Sequence, residues 1–168
     1  SAMKNQFNRF AVRFLCAVLL GLVLLCLHGC RGAAAVFVPQ FASPWELSKL
    51  AFWPMLGSFL LTGPFSGGLG PALRRQLPCL VATPLALFLA LWAVSALRAP
   101  GGVELTLWVA AAAVGLALAD QGKDRGWGTW GILAVALALF YAVLTFLPPL
   151  WGPFLDPADV AAIAAIPY

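Results

Sequence analysis

The sequence predicts an all-α fold, a bundle in which about five helices cross a membrane. Of the 168 residues, 62% are hydrophobic and 10% are charged, and the mean hydropathy is +0.94. A soluble domain contains about 25% charged residues, so this chain has too few charges to cover a surface exposed to water. No strand-like alternation is visible, and backbone groups in lipid need partners within their own segment, which favours helices.

Five apolar segments make up most of the chain, and each has about the 17 to 25 residues that a membrane crossing requires. The predicted spans are residues 10–29, 44–62, 77–97, 103–119 and 128–147. Turn-forming Gly, Pro and polar residues separate them. Residues 1–9 are therefore expected to be a cytoplasmic N-terminus, 10–147 a helical bundle and 148–168 an extracytoplasmic tail. Ser1 and Ala2 are expected to come from a purification tag, with the native chain starting at Met3.

The basic residues predict that the N-terminus lies inside and the C-terminus outside. In that orientation seven of the ten Lys and Arg residues are cytoplasmic and three are not, as the positive-inside rule requires. The seven are Lys4, Arg9, Arg13, Arg74, Arg75, Lys123 and Arg125. Because these charges are scattered between apolar segments, the net charge of +4 gives no indication of nucleic-acid binding.

Polar residues at the outer start of the second span form the first candidate site. Ser43 is a predicted N-cap, Pro44 occupies the first helical position, and Glu46 completes a capping box. Lys49 follows Glu46 by three residues and lies on a neighbouring face. Two interpretations stay open. One is a capped helix start with a lysine that reaches back to the membrane surface. The other is a polar cleft lined by Trp45, Glu46 and Lys49, because ionisable groups within spans often mark a site.

Further ionisable residues map to the same outer face. His28 and Arg31 follow the first span, where a cation also suits the end of a helix. His28 is expected on the same outer face as Glu46 and could pair with it. Glu104, just inside the fourth span, either pairs with Arg98 or adds a second carboxylate to the cleft.

The C-terminal tail is predicted to fold back over the outer ends of the helices as a lid. Its prolines prevent the fifth helix from continuing, yet its residues are apolar and aromatic and should not extend into water. Asp156 follows this Pro-rich part. It either caps a short terminal helix or joins the outer site.

The four cysteines are expected to be packing residues, and no metal site or cofactor is expected. The sequence contains a single histidine, and no cysteine is spaced from it as in a zinc site. The first span and Gly29 before Cys30 imitate a bacterial lipoprotein signal. His28 fits that signal poorly and four more apolar segments follow, so lipidation of Cys30 stays an open alternative.

Two motifs resemble those of a family of small bacterial membrane proteins, the domain-of-unknown-function family number 6512. The matching residues are His28, Ser43, Trp45, Glu46, Lys49, Leu50, Phe52, Pro54, Pro148, Pro149, Pro153, Phe154, Asp156 and Pro157. The chain departs from the family pattern at Phe41, Ala42 and Leu47, where that pattern has Asn, Glu and His. The resemblance implies a multi-pass protein of the bacterial inner membrane, and it implies no known activity.

The sequence therefore favours binding or transport of a lipid or small amphiphile through an extracytoplasmic-facing cleft. An accessory subunit is the first alternative, because the small residues at 110–115 would allow close packing on a partner membrane protein. The second is an enzyme acting on a lipid-linked substrate, with His28 or Glu46 as general acid or base. No nucleophile elbow or pair of metal-binding histidines is visible, so a non-enzymatic role is favoured.

Overall fold

The computed structural model describes residues 1–40, 43–97, 101–121, 126–149 and 151–155. Within these ranges the chain is helical and contains no strand, which confirms the predicted all-α bundle. The α-helices are α1 (Ala2–Cys26), α2 (Pro44–Thr62), α3 (Leu69–Ala96), α4 (Val103–Leu118) and α5 (Trp127–Phe146). Short 3₁₀ helices occupy Gly32–Val36, Gly63–Ser66, Ala119–Gln121 and Gly152–Phe154.

Three of these helices, α1, α3 and α5, are long and apolar enough to cross a membrane. This finding indicates a membrane protein. α4 is apolar but has only 16 residues, and α2 carries Glu46 and Lys49. The prediction of five complete crossings therefore stays a prediction for α2 and α4.

The helix ends differ most from the predicted spans at the starts of α1 and α3, and α1 also ends at Cys26, three residues earlier than predicted. α1 begins at Ala2, so the residues expected to precede the first span are already helical, and Ser1 caps them by accepting from Lys4 N. α3 begins at Leu69, eight residues before the predicted start, and contains Pro78 and Pro84. Proline removes one helical hydrogen bond, but neighbouring helices in a bundle can compensate for that loss.

α2 is the central helix of the bundle, although it is not among the three apolar helices of spanning length. Twelve of its 19 residues are buried, and it packs against α1, α3 and α4. A helix surrounded by protein can contain polar residues that a lipid-facing helix could not. By contrast, α1 and α5 expose apolar side chains such as Leu19 and Leu139, which suits contact with lipid.

A proline in α2 leaves a backbone carbonyl free to accept a hydrogen bond from α4. Pro54 has no N–H, so the carbonyl of Leu50, four residues earlier, lacks its usual helical donor. Trp108 of α4 fills this position, because its Nε1 donates to Leu50 O at 2.8 Å. The α1 backbone approaches the same indole closely, since a Cβ added at Gly21 would lie 2.6 Å from Trp108 Cη2.

The small residues at 110–115 serve packing within the chain. Ala112 and Gly115 are buried. A Cβ added at Gly115 would lie 2.9 Å from Met55 Cε and closer still to Thr83. α4 therefore uses part of this segment to approach α2 and α3. The partner contact considered from the sequence stays a prediction.

We predict that Gly115→Val destabilises the bundle by about 1–3 kcal/mol, the usual cost of overpacking a core. Unfolding of the purified protein in detergent micelles measures this free energy. Gly128→Val in α5 is the matched control, because no heavy atom lies within 4 Å of a Cβ added there. Equal destabilisation by both changes would contradict the close packing of α4.

We predict that Trp108→Phe costs less stability in protein that also carries Pro54→Ala. As a single substitution, Trp108→Phe leaves the buried Leu50 carbonyl without a donor, at a cost of about 1–3 kcal/mol. With Pro54→Ala, the alanine introduced at position 54 supplies a backbone N–H to that carbonyl. Both backgrounds share the cavity left by the indole, so a double-mutant cycle isolates the hydrogen bond. A cost of Trp108→Phe that is the same in both backgrounds would be inconsistent with this role.

Candidate functional site

A buried ion pair lies in the first turns of α2. Lys49 Nζ is 2.6 Å from Glu46 Oε2, and the two side chains are 0% and 6% exposed. Their spacing of three residues brings them together on one side of the helix. Ser43 caps the helix as predicted, because its Oγ accepts from Glu46 N at 3.3 Å. The Lys49 side chain is fully buried and bonded within the bundle, which argues against the first interpretation, in which it reaches back to the membrane surface.

The ammonium group of Lys49 has an acceptor for each of its three N–H donors. Besides Glu46, it donates to Thr145 Oγ1 of α5 at 2.7 Å and to Ala35 O at 3.3 Å. Glu46 Oε2 also accepts from Gln40 N at 3.0 Å. The pair thus joins α2 to α5 and to the segment that follows α1. We call Glu46, Lys49, Thr145, Gln40 and Ala35 the outer cluster.

A second polar contact joins α2 to α5 one turn away. Ser48 Oγ donates to Trp45 O at 2.6 Å and lies 2.7 Å from Tyr141 Oη. Because the serine hydroxyl has one proton, Tyr141 donates to Ser48. Thr145 Oγ1 donates to Tyr141 O at 2.6 Å, so Tyr141 and Thr145 form one continuous set of bonds with α2.

Aromatic rings cover this polar layer. The ring of Trp45 lies 4.8 Å from that of Tyr141, 5.5 Å from Phe88 and 5.6 Å from Phe154 between centroids. Phe154 belongs to the C-terminal tail, and Pro153 beside it is buried. The described part of the tail therefore folds back onto the bundle, as predicted for a lid. Trp45 Nε1 is buried without a hydrogen-bond partner among the described residues.

The structure brings together only some of the predicted site residues. Trp45, Glu46 and Lys49 are adjacent, but all three are buried, so they do not line a cleft open to solvent. The expected pairing of His28 with Glu46 is absent, since the exposed His28 donates from Nδ1 to Pro39 O at 3.0 Å. His28 lies beyond the end of α1, and its side chain bonds to the segment that follows α1.

The remaining candidates lie apart from the outer cluster or outside the described residues. Arg31 is exposed and precedes the 3₁₀ helix Gly32–Val36. Glu104 is half-buried in the first turn of α4. Asp156, with the short helix expected after it, and Arg98 lie outside the described residues.

Among the described residues, no three His, Cys, Asp or Glu side chains are grouped so that they could hold a metal ion. All four cysteines are free of disulfides; Cys26 is exposed and the other three are partly buried. The partial burial of Cys16, Cys30 and Cys79 agrees with a packing role for these three residues. Lipidation of Cys30 stays an open alternative.

Sequence reasoning missed Ser48, Tyr141 and Thr145. Tyr141 and Thr145 are polar residues four positions apart in an apolar helix, so they share one face of α5. That spacing is the signal that could have identified the face turned toward α2. Sequence reasoning also treated Arg13 as a charge that records orientation, whereas Arg13 is 1% exposed and its Nε donates to Thr62 Oγ1 at 3.3 Å.

An apolar groove of about 410 Å³ lies between α2, α3 and α5, toward the N-terminal ends of α3 and α5. Phe52 and Leu56 of α2 form its floor, and small residues of α5, among them Ala134 and Ala138, form one wall. At one end the guanidinium carbon of Arg74 lies 4.5 Å from the ring centroid of Trp127, within the range of a cation–π contact.

The fold and the outer cluster define a helical membrane protein assembled around a buried ion pair. Comparison of the chain with protein-family models finds no match, and comparisons with curated proteins and with solved structures find none either. The resemblance to family number 6512 therefore stays a prediction.

We predict that Glu46→Gln and Lys49→Met each cost about 3–5 kcal/mol, because each leaves an uncompensated buried charge. The double variant removes both charges and is expected to be more stable than either single variant. Chemical unfolding in detergent micelles measures the three free energies. Glu104→Gln provides a half-buried carboxylate control, with an expected cost of no more than about 1 kcal/mol. Single effects that simply add in the double variant would contradict the pairing.

Proposed function

We propose that the protein binds a lipid or small amphiphile in the groove between α2, α3 and α5. The observation that carries this proposal is the groove itself, which has apolar walls and a basic, aromatic end. Ligand pockets are usually concave and mostly apolar, with a few polar groups that orient the ligand, and have volumes of about 300–1,000 Å³.

The outer cluster supports this role less well than the sequence suggested. Every donor of Lys49 is already engaged, and Glu46 is shared between Lys49 and Gln40 N. A ligand there would have to displace bonds between buried groups, which are costly to leave unmade. We therefore assign the outer cluster to assembly of the bundle and the groove to binding.

The arrangement of α5 explains why the groove exists. Near its C-terminal end, α5 bonds to α2 through Tyr141 and Thr145. Nearer its start, three of the five α5 residues that line the groove are small, namely Gly131, Ala134 and Ala138. These side chains are too short to fill the space above the α2 floor. α2 and α5 are thus joined by hydrogen bonds near the C-terminal end of α5, and the groove lies between them nearer its start.

The length of the groove suits one hydrocarbon chain. On α3 the lining extends from Gly70 to Leu80, about 15 Å at 1.5 Å per residue. Half of a hydrocarbon core of roughly 30 Å is also about 15 Å. A chain from a single leaflet would therefore reach from the Arg74 end to the closed end near the middle of the bundle.

We predict that Ala138→Phe blocks lipid entry into the groove. Phosphatidylcholine with a photoreactive diazirine on one acyl chain is incorporated into nanodiscs with the protein, and labelled peptides are mapped by mass spectrometry. In wild-type protein we expect labelling to concentrate on α3 and α5 residues of the groove such as Leu73 and Val135. Ala138→Phe should abolish this concentration.

The matched control is Ala117→Phe, an exposed position on α4 outside the groove, which should leave the labelling unchanged. Thermal unfolding checks that both variants fold. Labelling spread evenly over the apolar faces of α1 and α5, and insensitive to Ala138→Phe, would refute the proposed binding.

A further inference from the structure

We infer that the groove selects a phospholipid with an anionic headgroup from the leaflet beside the N-terminal ends of α3 and α5. This inference rests on the proposed function, and it concerns the end of the groove at which Arg74 and Trp127 lie. The apolar walls cannot select one lipid over another, because an acyl chain is in an equally apolar environment in the groove and in the bilayer. Selectivity must therefore come from the headgroup.

Arg74 is placed to recognise a phosphate group. It lines the groove, it is exposed, and its guanidinium stacks on Trp127. Glu46 and Glu104, whose side chains the structure describes, form no ion pair with Arg74. A stacked guanidinium keeps its planar N–H donors available for bidentate bonding to phosphate.

Two helix N-termini add positive potential at the same end. α3 begins at Leu69 and α5 at Trp127, and neither is capped by a side chain, because the capping positions are Gly68 and Gly126. Unpaired N–H groups and the helix dipole make such ends favourable for anions. The groove lining includes Gly70 and Trp127, so both ends border the place where a headgroup would lie.

The surrounding charge has the same sign. Arg75 follows Arg74 and is exposed, and Lys4 and Arg9 on the first turns of α1 are exposed as well. The distribution of basic residues predicts that these positions face the cytoplasm. The cytoplasmic leaflet is the one enriched in anionic lipids, and basic pockets between helices on that side bind anionic headgroups.

The test compares two photoreactive lipids with the same diazirine acyl chain, phosphatidylglycerol and phosphatidylcholine, in nanodiscs of otherwise identical composition. We expect phosphatidylglycerol to label the groove roughly fivefold more than phosphatidylcholine, the effect of one basic side chain close to an anionic lipid. Arg74→Gln should bring the two lipids to equal labelling, and Arg74→Lys should keep part of the preference.

Arg9→Gln is the matched control, since Arg9 is an exposed base at the same end that does not line the groove. It should leave the labelling ratio unchanged. Equal labelling by both lipids in wild-type protein, still blocked by Ala138→Phe, would overturn the headgroup selectivity and leave groove binding intact. If neither lipid labels the groove, both the headgroup selectivity and the groove binding are overturned. A loss of labelling by both lipids to the same extent in Arg74→Gln would show a structural role for Arg74 and overturn the inference.

Discussion

The ammonium group of Lys49 imposes the main constraint on how the bundle is assembled around the first turns of α2. A charge removed from water is tolerated only when it is paired and its donors are all engaged. Lys49 reaches this condition through Glu46, Thr145 and the Ala35 carbonyl. These acceptors come from α2, α5 and the 3₁₀ helix after α1, so the charge is satisfied only when the three segments meet.

The same constraint accounts for the central position of α2. α2 carries the ion pair, a proline that frees the Leu50 carbonyl, and Ser48, each of which needs a partner from outside the helix. Tyr141, Thr145 and Trp108 supply those partners from α5 and α4. In a membrane the surrounding lipid offers no hydrogen bonds. α2 is therefore stable only when other helices surround it, and its polar groups specify which helices these are.

Local features of the structure could be predicted from the sequence, and contacts between distant segments could not. The start of α2 at Ser43 and the proximity of Glu46 and Lys49 depend on helix geometry alone, so spacing was enough to predict them. Thr145 lies 96 residues from Lys49, and no local pattern links the two. The possible His28–Glu46 pair does not form, because α1 ends at Cys26 and His28 lies in a turn where it bonds to Pro39 O. The small residues of α5 were visible in the sequence, but the space beside them depends on how α5 meets α2.

The two ends of α5 therefore differ in one physical respect, namely whether they are bonded to α2. Near the C-terminal end of α5, the hydroxyl groups of Tyr141 and Thr145 reach donors and acceptors of α2 at 2.7 Å. Nearer the start of α5, Ala134 and Ala138 line the apolar groove together with Phe52 and Leu56 of α2. Apolar surfaces that face each other in lipid gain little by closing, because the acyl chain between them is just as apolar. The bonds of Tyr141 and Thr145 can thus hold α5 against α2 at one end of the bundle while the groove stays open toward the other.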